Sequence, residues 1–345
     1  MFLYHTRFVI LILSLITASI CMTSCTERKD PVKENYVLPI DSAQAESELR
    51  SLNERISKNP SDASLYYKRA QIFLKRNVLQ TAFNDAVMAT TIDSTRPEYF
   101  LLLGDISFRG LQVPKSVKAY ESCLKLDPKN IEANLKLAEI YFYLKAYTKS
   151  VTYSNEVLKL DQRMAKPYFL KGFVYKESGD TVRAISSFQT VTELEPENYD
   201  AHHQLGIIHA AKGDKLALQY YNNALKVRPN STEALYNRGL FFQEHSDFDK
   251  AIADYQSILK IDPSYTDAYY NQGFIALVNR KDYKTAIDFF SKVVQIDQNY
   301  IEAFYNRGLA HEYAGNKSAA REDYNKALSI FPNYSLAKEG LERIR

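Results

Sequence analysis

Apolar residues recur at three- and four-residue spacing over most of the chain, in short runs separated by polar turns. This spacing puts the apolar side chains on one face of a helix and predicts pairs of amphipathic helices. In the segment from Thr232, the first helix ends near Ser246-Asp247, and the second stops at Asp262-Pro263, because proline cannot continue a helix. The apolar positions of these two helices are Leu235, Leu240, Phe242, Ala251, Ile252, Tyr255, Ile258, Leu259 and Ile261.

The helix pair is one unit of an internal repeat. Successive spacings of 68, 34, 33, 34 and 35 residues separate Gly104, Gly172, Gly206, Gly239, Gly273 and Gly308. Ala138 falls in the middle of the longest gap, and Ala70 lies one period before Gly104. Because a fixed period of this length is the signature of a solenoid, we predict eight units, spanning residues 63–96, 97–130, 131–164, 165–198, 199–231, 232–265, 266–300 and 301–334.

Small residues recur at fixed positions of the unit. Position 8 is Gly or Ala in every unit, and position 20 is Ala or Ser. Two helices approach closely only where no large side chain lies between them, so these positions predict where the two helices cross. Gly179, Gly213 and Gly315 fall at position 15, where a helix C-terminus favours a residue in the left-handed conformation.

The period, the helix–turn–helix unit and the small residues together resemble the tetratricopeptide repeat (TPR), over 272 of 345 residues. The resemblance implies an all-α, right-handed α-solenoid of eight repeats plus terminal helices. The large residue early in the first helix departs from the family pattern at Asn134 and His202, which we expect to weaken packing there. Residues 43–62 are predicted to form a leading helix and residues 335–345 a C-terminal capping helix, since a solenoid must cover its end faces.

The N-terminus has the features of a targeting segment. Residues Phe8 to Ile20 form an apolar run too short to cross a bilayer but long enough for the core of a signal peptide. The following Met22-Thr23-Ser24-Cys25 resembles the lipobox of bacterial lipoproteins, although Met22 stands where Leu is usual. The resemblance implies that residues 1–24 are a signal peptide and that Cys25 is lipidated. An ordinary secretory peptide and an uncleaved anchor are the alternatives.

Composition narrows the class of protein further. Hydrophobic residues make up 46% of the chain and charged residues 25%, which excludes wholesale disorder and a polytopic membrane protein. The net charge is +3 without a block of Lys or Arg, so we expect no nucleic-acid partner. Residues 25–42 are polar, contain two prolines and read as a flexible tether. Cys123 lies in an apolar helical stretch and is expected to be a small buried residue.

Catalytic and metal-binding motifs are missing from the sequence. It contains no Gly-rich phosphate loop, GxSxG, HExxH, CxxC or Asp-rich calcium loop. His202 and His209 share one helical face, but both occupy positions that hold Tyr or Phe in other units, which favours packing over a metal site. We therefore predict no catalytic residues, no cofactor and no metal. An enzyme whose site has no recognisable motif is a remote alternative.

In the TPR family, the first helices of the repeats line a concave groove. The fifth and sixth positions of the repeat unit, which belong to this groove, hold Tyr-Asn in each of the last three units of this chain. Tyrosine is favoured at interfaces, and asparagine can pair with an extended peptide backbone. The predicted partner-binding groove consists of Tyr236, Asn237, Tyr270, Asn271, Phe274, Tyr305, Asn306 and Leu309.

These features predict a non-catalytic scaffold rather than an enzyme. The scaffold would be a membrane-tethered lipoprotein of the bacterial cell envelope, facing the periplasm, and its groove would bind an extended peptide or a helix of a partner protein. Envelope assembly, secretion or transport is the expected setting. The alternative is a self-associating structural solenoid, in which the partner is a second copy of the chain.

Overall fold

A computed structural model describes residues 42–345, with side chains from residue 44 onward. The predicted signal peptide, Cys25 and the tether up to residue 41 lie outside the described residues. The chain divides into two units, 1–58 and 59–345; the described part of the first is the helix Ser42–Lys58. Among the helices of residues 42–345, none is long and apolar enough to cross a membrane.

Residues 59–345 form an all-α solenoid of paired helices, so the predicted fold class is confirmed. Each repeat contains a helix A, a tight turn and a helix B. The A helices are Ala63–Lys75, Pro97–Arg109, Ile131–Tyr143, Ala165–Glu177, Tyr199–Ala211, Thr232–Glu244, Thr266–Phe274 and Ile301–Tyr313. The B helices are Leu79–Ile92, Val113–Leu126, Tyr147–Leu160, Thr181–Leu194, Leu216–Val227, Phe248–Ile261, Tyr283–Ile296 and Lys317–Ile330. A final helix, Ser335–Arg343, covers repeat 8 with Ala337, Leu341 and Ile344.

The A and B helices cross where a small residue of helix A meets a large ring of helix B. A Cβ atom added to Gly172 would lie 2.7 Å from Cε1 of Phe188, which is fully buried. The same close approach occurs in five further pairs: Gly104–Tyr120, Gly206–Tyr221, Gly239–Tyr255, Gly273–Phe290 and Gly308–Tyr324. The glycine therefore provides the space that the ring occupies.

Repeats 1 and 3 have small residues on both sides of this crossing. They carry Ala70 and Ala138 in place of glycine, and the facing residues of helix B are Ala86 and Ser154, all four buried. At this position glycine is therefore found only where helix B presents a large ring.

Polar side chains also join the two helices of a repeat. Arg69, Arg238 and Arg307 each donate two hydrogen bonds to one aspartate of helix B in the same repeat, over 2.6–2.9 Å. The three partners, Asp85, Asp254 and Asp323, are only 4–5% exposed. A buried carboxylate without its guanidinium would be strongly destabilising, so these ion pairs hold helices A and B of the same repeat together.

The turn between helices A and B ends in a left-handed residue in every repeat. Gly179, Gly213 and Gly315 have φ values of +77°, +66° and +82°, as the sequence predicted for position 15. The other five turns place a non-glycine residue in this conformation: Asn77, Leu111, Lys145, Ser246 and Lys281.

Repeat 7 contains one residue more than its neighbours. Its helix A changes at Ile275 into a π-helical segment, Ile275–Arg280, and Lys281 then takes the left-handed position. The extra residue is absorbed inside the helix, because a π-turn inserts one residue without breaking the backbone ladder.

Asn134 and His202 do not leave their repeats poorly packed, contrary to the expectation from the sequence. Both side chains are buried. Asn134 Nδ2 donates to the carbonyl oxygens of Asn130 and Pro128, and His202 Nε2 pairs with that of Pro196 at 2.8 Å. Pro128 and Pro196 occupy equivalent places six residues earlier, so both side chains bind the chain just before their own helix A.

The contact between Gly172 and Phe188 can be tested, because Gly172→Ala should have opposite effects on stability with and without the ring. Gly172→Ala should destabilise the protein by about 1–3 kcal/mol, because its Cβ overpacks against Phe188. The same substitution in a Phe188→Ala background should be neutral or stabilising by up to about 1 kcal/mol, since alanine is then the better helix former. Urea unfolding of the four proteins measures the coupling.

Ala138→Gly is the matched control, because repeat 3 already has a small partner at Ser154. It should cost about 0.5–1 kcal/mol through helix propensity alone. If Gly172→Ala costs the same with and without the Phe188 ring, the ring is not the reason that this position requires glycine.

Candidate partner-binding groove

The three predicted groove tyrosines occupy equivalent places on helix A of repeats 6, 7 and 8, and each is half-buried. Every ring packs against an aromatic ring of helix B in its own repeat, with centroids 5.6–6.2 Å apart. Every ring also contacts a tyrosine at the junction with the following helix, over 5.2–5.7 Å. The inner and outer pairs are Tyr236 with Tyr255 and Tyr265, Tyr270 with Phe290 and Tyr300, and Tyr305 with Tyr324 and Tyr334.

The three predicted asparagines connect each helix A to the one before it. Asn306 Nδ2 donates to the hydroxyl oxygen of Tyr270 at 2.8 Å, and Asn271 Nδ2 donates to that of Tyr236 at 3.3 Å. Asn271 and Asn306 are each only 8% exposed. The structure thus brings the predicted row together, and it gives the row a use in stacking the repeats that sequence reasoning missed.

His203 begins this ladder of hydrogen bonds in repeat 5, at the position that tyrosine holds in repeats 6 to 8. Its Nε2 lies 2.9 Å from Asn237 Nδ2, and an amide nitrogen can only donate, so Nε2 is the unprotonated acceptor. Burial lowers the pKa of His203 to about 4. The neutral ring therefore persists at physiological pH and carries its proton on Nδ1, 3.7 Å from Glu233 Oε1.

Phe274 and Leu309 lie one turn further along helix A and are also half-buried. Phe274 stacks on Tyr270 with ring centroids 6.5 Å apart, immediately before the π-helical segment. Leu309 packs against the buried cluster that includes Phe290 and Phe304. Both residues thus extend the apolar surface beside the tyrosines.

Acidic residues near the start of helix A are largely engaged within the protein. Asp267 Oδ1 accepts a hydrogen bond from the Tyr300 hydroxyl at 2.9 Å, and Asp200 lies 3.8 Å from Arg228. Carboxylates at these N-termini are also favoured by the helix dipole. The aromatic row, rather than negative charge, is therefore the distinctive surface of these repeats.

The histidines that raised the question of a metal site pack around Tyr220. The rings of His202 and His209 lie 6.3 Å and 5.2 Å from it. His209 Nδ1 pairs with Asp214 at 2.8 Å, while His202 pairs with the backbone. Over residues 44–345, no three His, Cys, Asp or Glu residues are grouped in a way that could hold a metal ion.

Two family models match the solenoid. One is described as Tetratricopeptide repeat protein 21 N-terminal ARM repeat and covers residues 168–338; the other, described as Tetratricopeptide repeat, covers residues 131–163. The matched residues span repeats 3 to 8 and the start of the final helix, and both descriptions name the tetratricopeptide repeat, so the family models support a TPR protein over this part of the chain.

Among curated relatives, BBSome complex member BBS4 from Bos taurus is 28% identical over 138 residues, which is 40% of this chain and 26% of the relative. Photosystem I assembly protein Ycf3 from Acaryochloris marina is 28% identical over 123 residues, 32% of this chain and 74% of the relative. The chain thus aligns with only about a quarter of the bovine protein.

A solved structure shows the same fold. It is the C-terminal part of a TPR repeat-containing protein from Cytophaga hutchinsonii, with a TM-score of 0.58 and 21% identity. The match covers 65% of this chain and 93% of that one. At this identity the likeness concerns the fold alone.

Removing one hydroxyl group tests the ladder. Tyr270→Phe should destabilise the protein by about 1–3 kcal/mol, because the buried amide of Asn306 loses its acceptor. Adding Asn306→Leu should recover part of the loss, since both polar partners are then gone. Thermal and urea unfolding measure both effects.

Tyr143→Phe is the control, because that tyrosine is 73% exposed. It should change stability by less than about 0.5 kcal/mol. A Tyr270→Phe protein as stable as the wild type would mean that the ladder contributes nothing to repeat stacking.

Proposed function

We propose that this chain is a non-catalytic scaffold that holds a segment of a partner protein along its helix A face. We further propose that lipid on Cys25 tethers the scaffold to a bacterial envelope membrane, facing the periplasm, where it serves assembly, secretion or transport. The observation that carries the proposal is the continuous row of half-exposed tyrosines over repeats 6 to 8.

The row suits a binding surface because it is fixed before a partner arrives. Each tyrosine contacts rings on two sides, so little side-chain freedom remains to be lost on binding. Aromatic residues held in this way are typical of interface hot spots. Phe274 and Leu309 widen the same surface with apolar area.

The hydrogen-bond ladder defines what the asparagines contribute. The Nδ2 groups of Asn237, Asn271 and Asn306 already bind His203, Tyr236 and Tyr270. We therefore assign affinity to the outward faces of the tyrosine rings and to the apolar residues beside them, and we assign the asparagines to holding those rings. The expected partner segment is apolar or aromatic, as an extended peptide or one face of a helix.

The names of two relatives are in line with a scaffold. One is a complex member and the other an assembly protein, so both work together with other proteins. Self-association of this chain is the alternative, and it predicts a mass that rises with concentration in the absence of any partner.

Site-specific photocrosslinking tests the groove. A photoreactive amino acid at Leu309, on the helix A face, should crosslink one discrete partner in intact envelopes, whereas the same residue at the exposed Gln256 on helix B should not. The identified partner should bind a purified Phe274→Ser/Leu309→Ser variant at least about tenfold more weakly than wild type, which is 1.4 kcal/mol.

Crosslinks formed from Gln256 alone would move the binding surface to the other face of the solenoid. Crosslinks between two copies of the chain would instead support self-association. Parallel thermal melting is required, since a loss of binding that follows a loss of fold says nothing about the surface.

The tether has a separate test. Metabolic labelling with a tagged fatty acid should mark the wild-type protein but not Cys25→Ala, because the lipid is attached to that sulfur. Several acyl chains, each contributing about 0.8 kcal/mol per buried methylene, are enough for stable anchoring. Label that persists on the alanine variant would show that Cys25 is not the lipidation site.

A further inference from the structure

The turns between helices A and B expose large apolar side chains in repeats 1 to 3. Leu111 is 87% exposed, Tyr143 73% and Leu144 55%, and Val78 is also exposed. These residues lie at the tips of their turns, away from the helix A row discussed above. Apolar side chains this exposed in three consecutive repeats form a patch of the kind that marks an interaction site.

The conformation at the centre of this patch is also costly. Leu111 has a φ of +56°, where a side chain loses stability that glycine would keep, as glycine does in repeats 4, 5 and 8. The leucine side chain does not compensate for this cost by packing, since it is exposed to water. An unfavourable backbone conformation of this kind points to a role outside the fold.

Within the turns themselves and the first residues of the following helix B, the charge is of one sign. Residues 75–84, 106–120 and 140–155, which contain the three turns, include no Asp or Glu. They include seven cations: Lys75, Arg76, Arg109, Lys115, Lys118, Lys145 and Lys149. The turns of repeats 4 to 8 differ, because each contains or adjoins an acid: Asp180, Asp214, Asp247, Asp282 and Glu312.

Contacts between neighbouring repeats place the three turns along one edge of the solenoid. Arg109 Nη1 donates to the carbonyl oxygen of Leu74 at 3.3 Å, which joins the second turn to the first. Phe108 and Ala146, which flank the second and third turns, pack against one buried cluster. We call the three turns together with the cations that follow them, residues 75–79, 109–118 and 143–149, the basic edge.

We propose that the basic edge binds the surface of a bilayer containing anionic lipids, with Leu111, Tyr143 and Leu144 entering the interfacial layer. Lysine and arginine at such a surface attract anionic headgroups, while leucine and tyrosine side chains are favoured in the interfacial layer below the headgroups. Exposed leucine and tyrosine side chains beside cations, in three successive turns, suit the interface of a bilayer. The proposal does not depend on the groove or on the lipid at Cys25.

An environment-sensitive fluorophore at one turn tests this directly. The full chain is used with Cys21 and Cys25 replaced by serine and with Leu111→Cys labelled. Cys123 does not compete for the label, because it is fully buried and burial raises the pKa of its thiol to about 11. The site-specific probe separates the edge from vesicle binding by the apolar N-terminal run.

The probe at residue 111 should shift to the blue with vesicles of phosphatidylglycerol and phosphatidylcholine, and much less with phosphatidylcholine alone or at high salt. Ser246→Cys provides the matched control, since Ser246 is exposed and has the same left-handed conformation in the turn of repeat 6, beside Asp247. The probe at residue 246 should not respond.

Two further variants test the apolar and basic parts separately, with a probe at residue 144. Leu111→Gly keeps the turn conformation and should weaken the response to anionic vesicles. Val182→Ser should not, although it removes an apolar side chain that is 76% exposed at the start of helix B, directly after the acid-containing turn of repeat 4. Lys115→Gln/Lys145→Gln should reduce vesicle affinity by about tenfold or more.

Three results would overturn the proposal. The first is equal blue shifts at residues 111 and 246. The second is an affinity for anionic vesicles that Lys115→Gln/Lys145→Gln leaves unchanged. The third is a shift at residue 111 that rises with protein concentration without lipid, which would assign the edge to contact between copies of the chain.

Discussion

At each A–B crossing, a small residue of helix A lies against a buried side chain of helix B, and the geometry of the whole repeat depends on this contact. Six repeats use glycine under a ring, as at Gly172 and Phe188, and two use alanine opposite a small side chain. Because dense packing tolerates neither a void nor an overlap, the two positions must change together. In six of the eight repeats, glycine thereby leaves the space that the buried ring of helix B occupies.

Stacking between repeats uses a second set of contacts, which begins at His203 and runs through the tyrosine–asparagine pairs to Asn306. These hydrogen bonds join only adjacent repeats, as expected for a solenoid whose stability is a sum of local and nearest-neighbour terms. The same tyrosines remain partly exposed on helix A. One residue type thus meets the needs of the stack on one side and offers a rigid surface on the other.

The all-α fold of paired helices could be predicted because it follows from local rules, namely apolar spacing, small residues at the crossing and proline after helix B. Sequence analysis did not identify the residue of helix B that faces each small residue of helix A. Comparing the two positions shows the relation, since Ala138 faces Ser154 whereas Gly172 faces Phe188. The Tyr–Asn row was predicted to be a groove from its spacing, but spacing does not reveal that Asn306 hydrogen-bonds to Tyr270. That contact depends on how two repeats are placed in space, which no single repeat encodes.

The π-helical segment of repeat 7 has a consequence for how such chains vary in length. Its added residue is taken up before Lys281, and helix B then resumes at Tyr283 with Phe290 under Gly273, as in the unextended repeats. Repeat 8 keeps its hydrogen bond to repeat 7, because Asn306 still reaches Tyr270 across a spacing of 36 residues. Insertions are cancelled within the helix that receives them, so a length change in one repeat need not alter the course of the surface that runs past it.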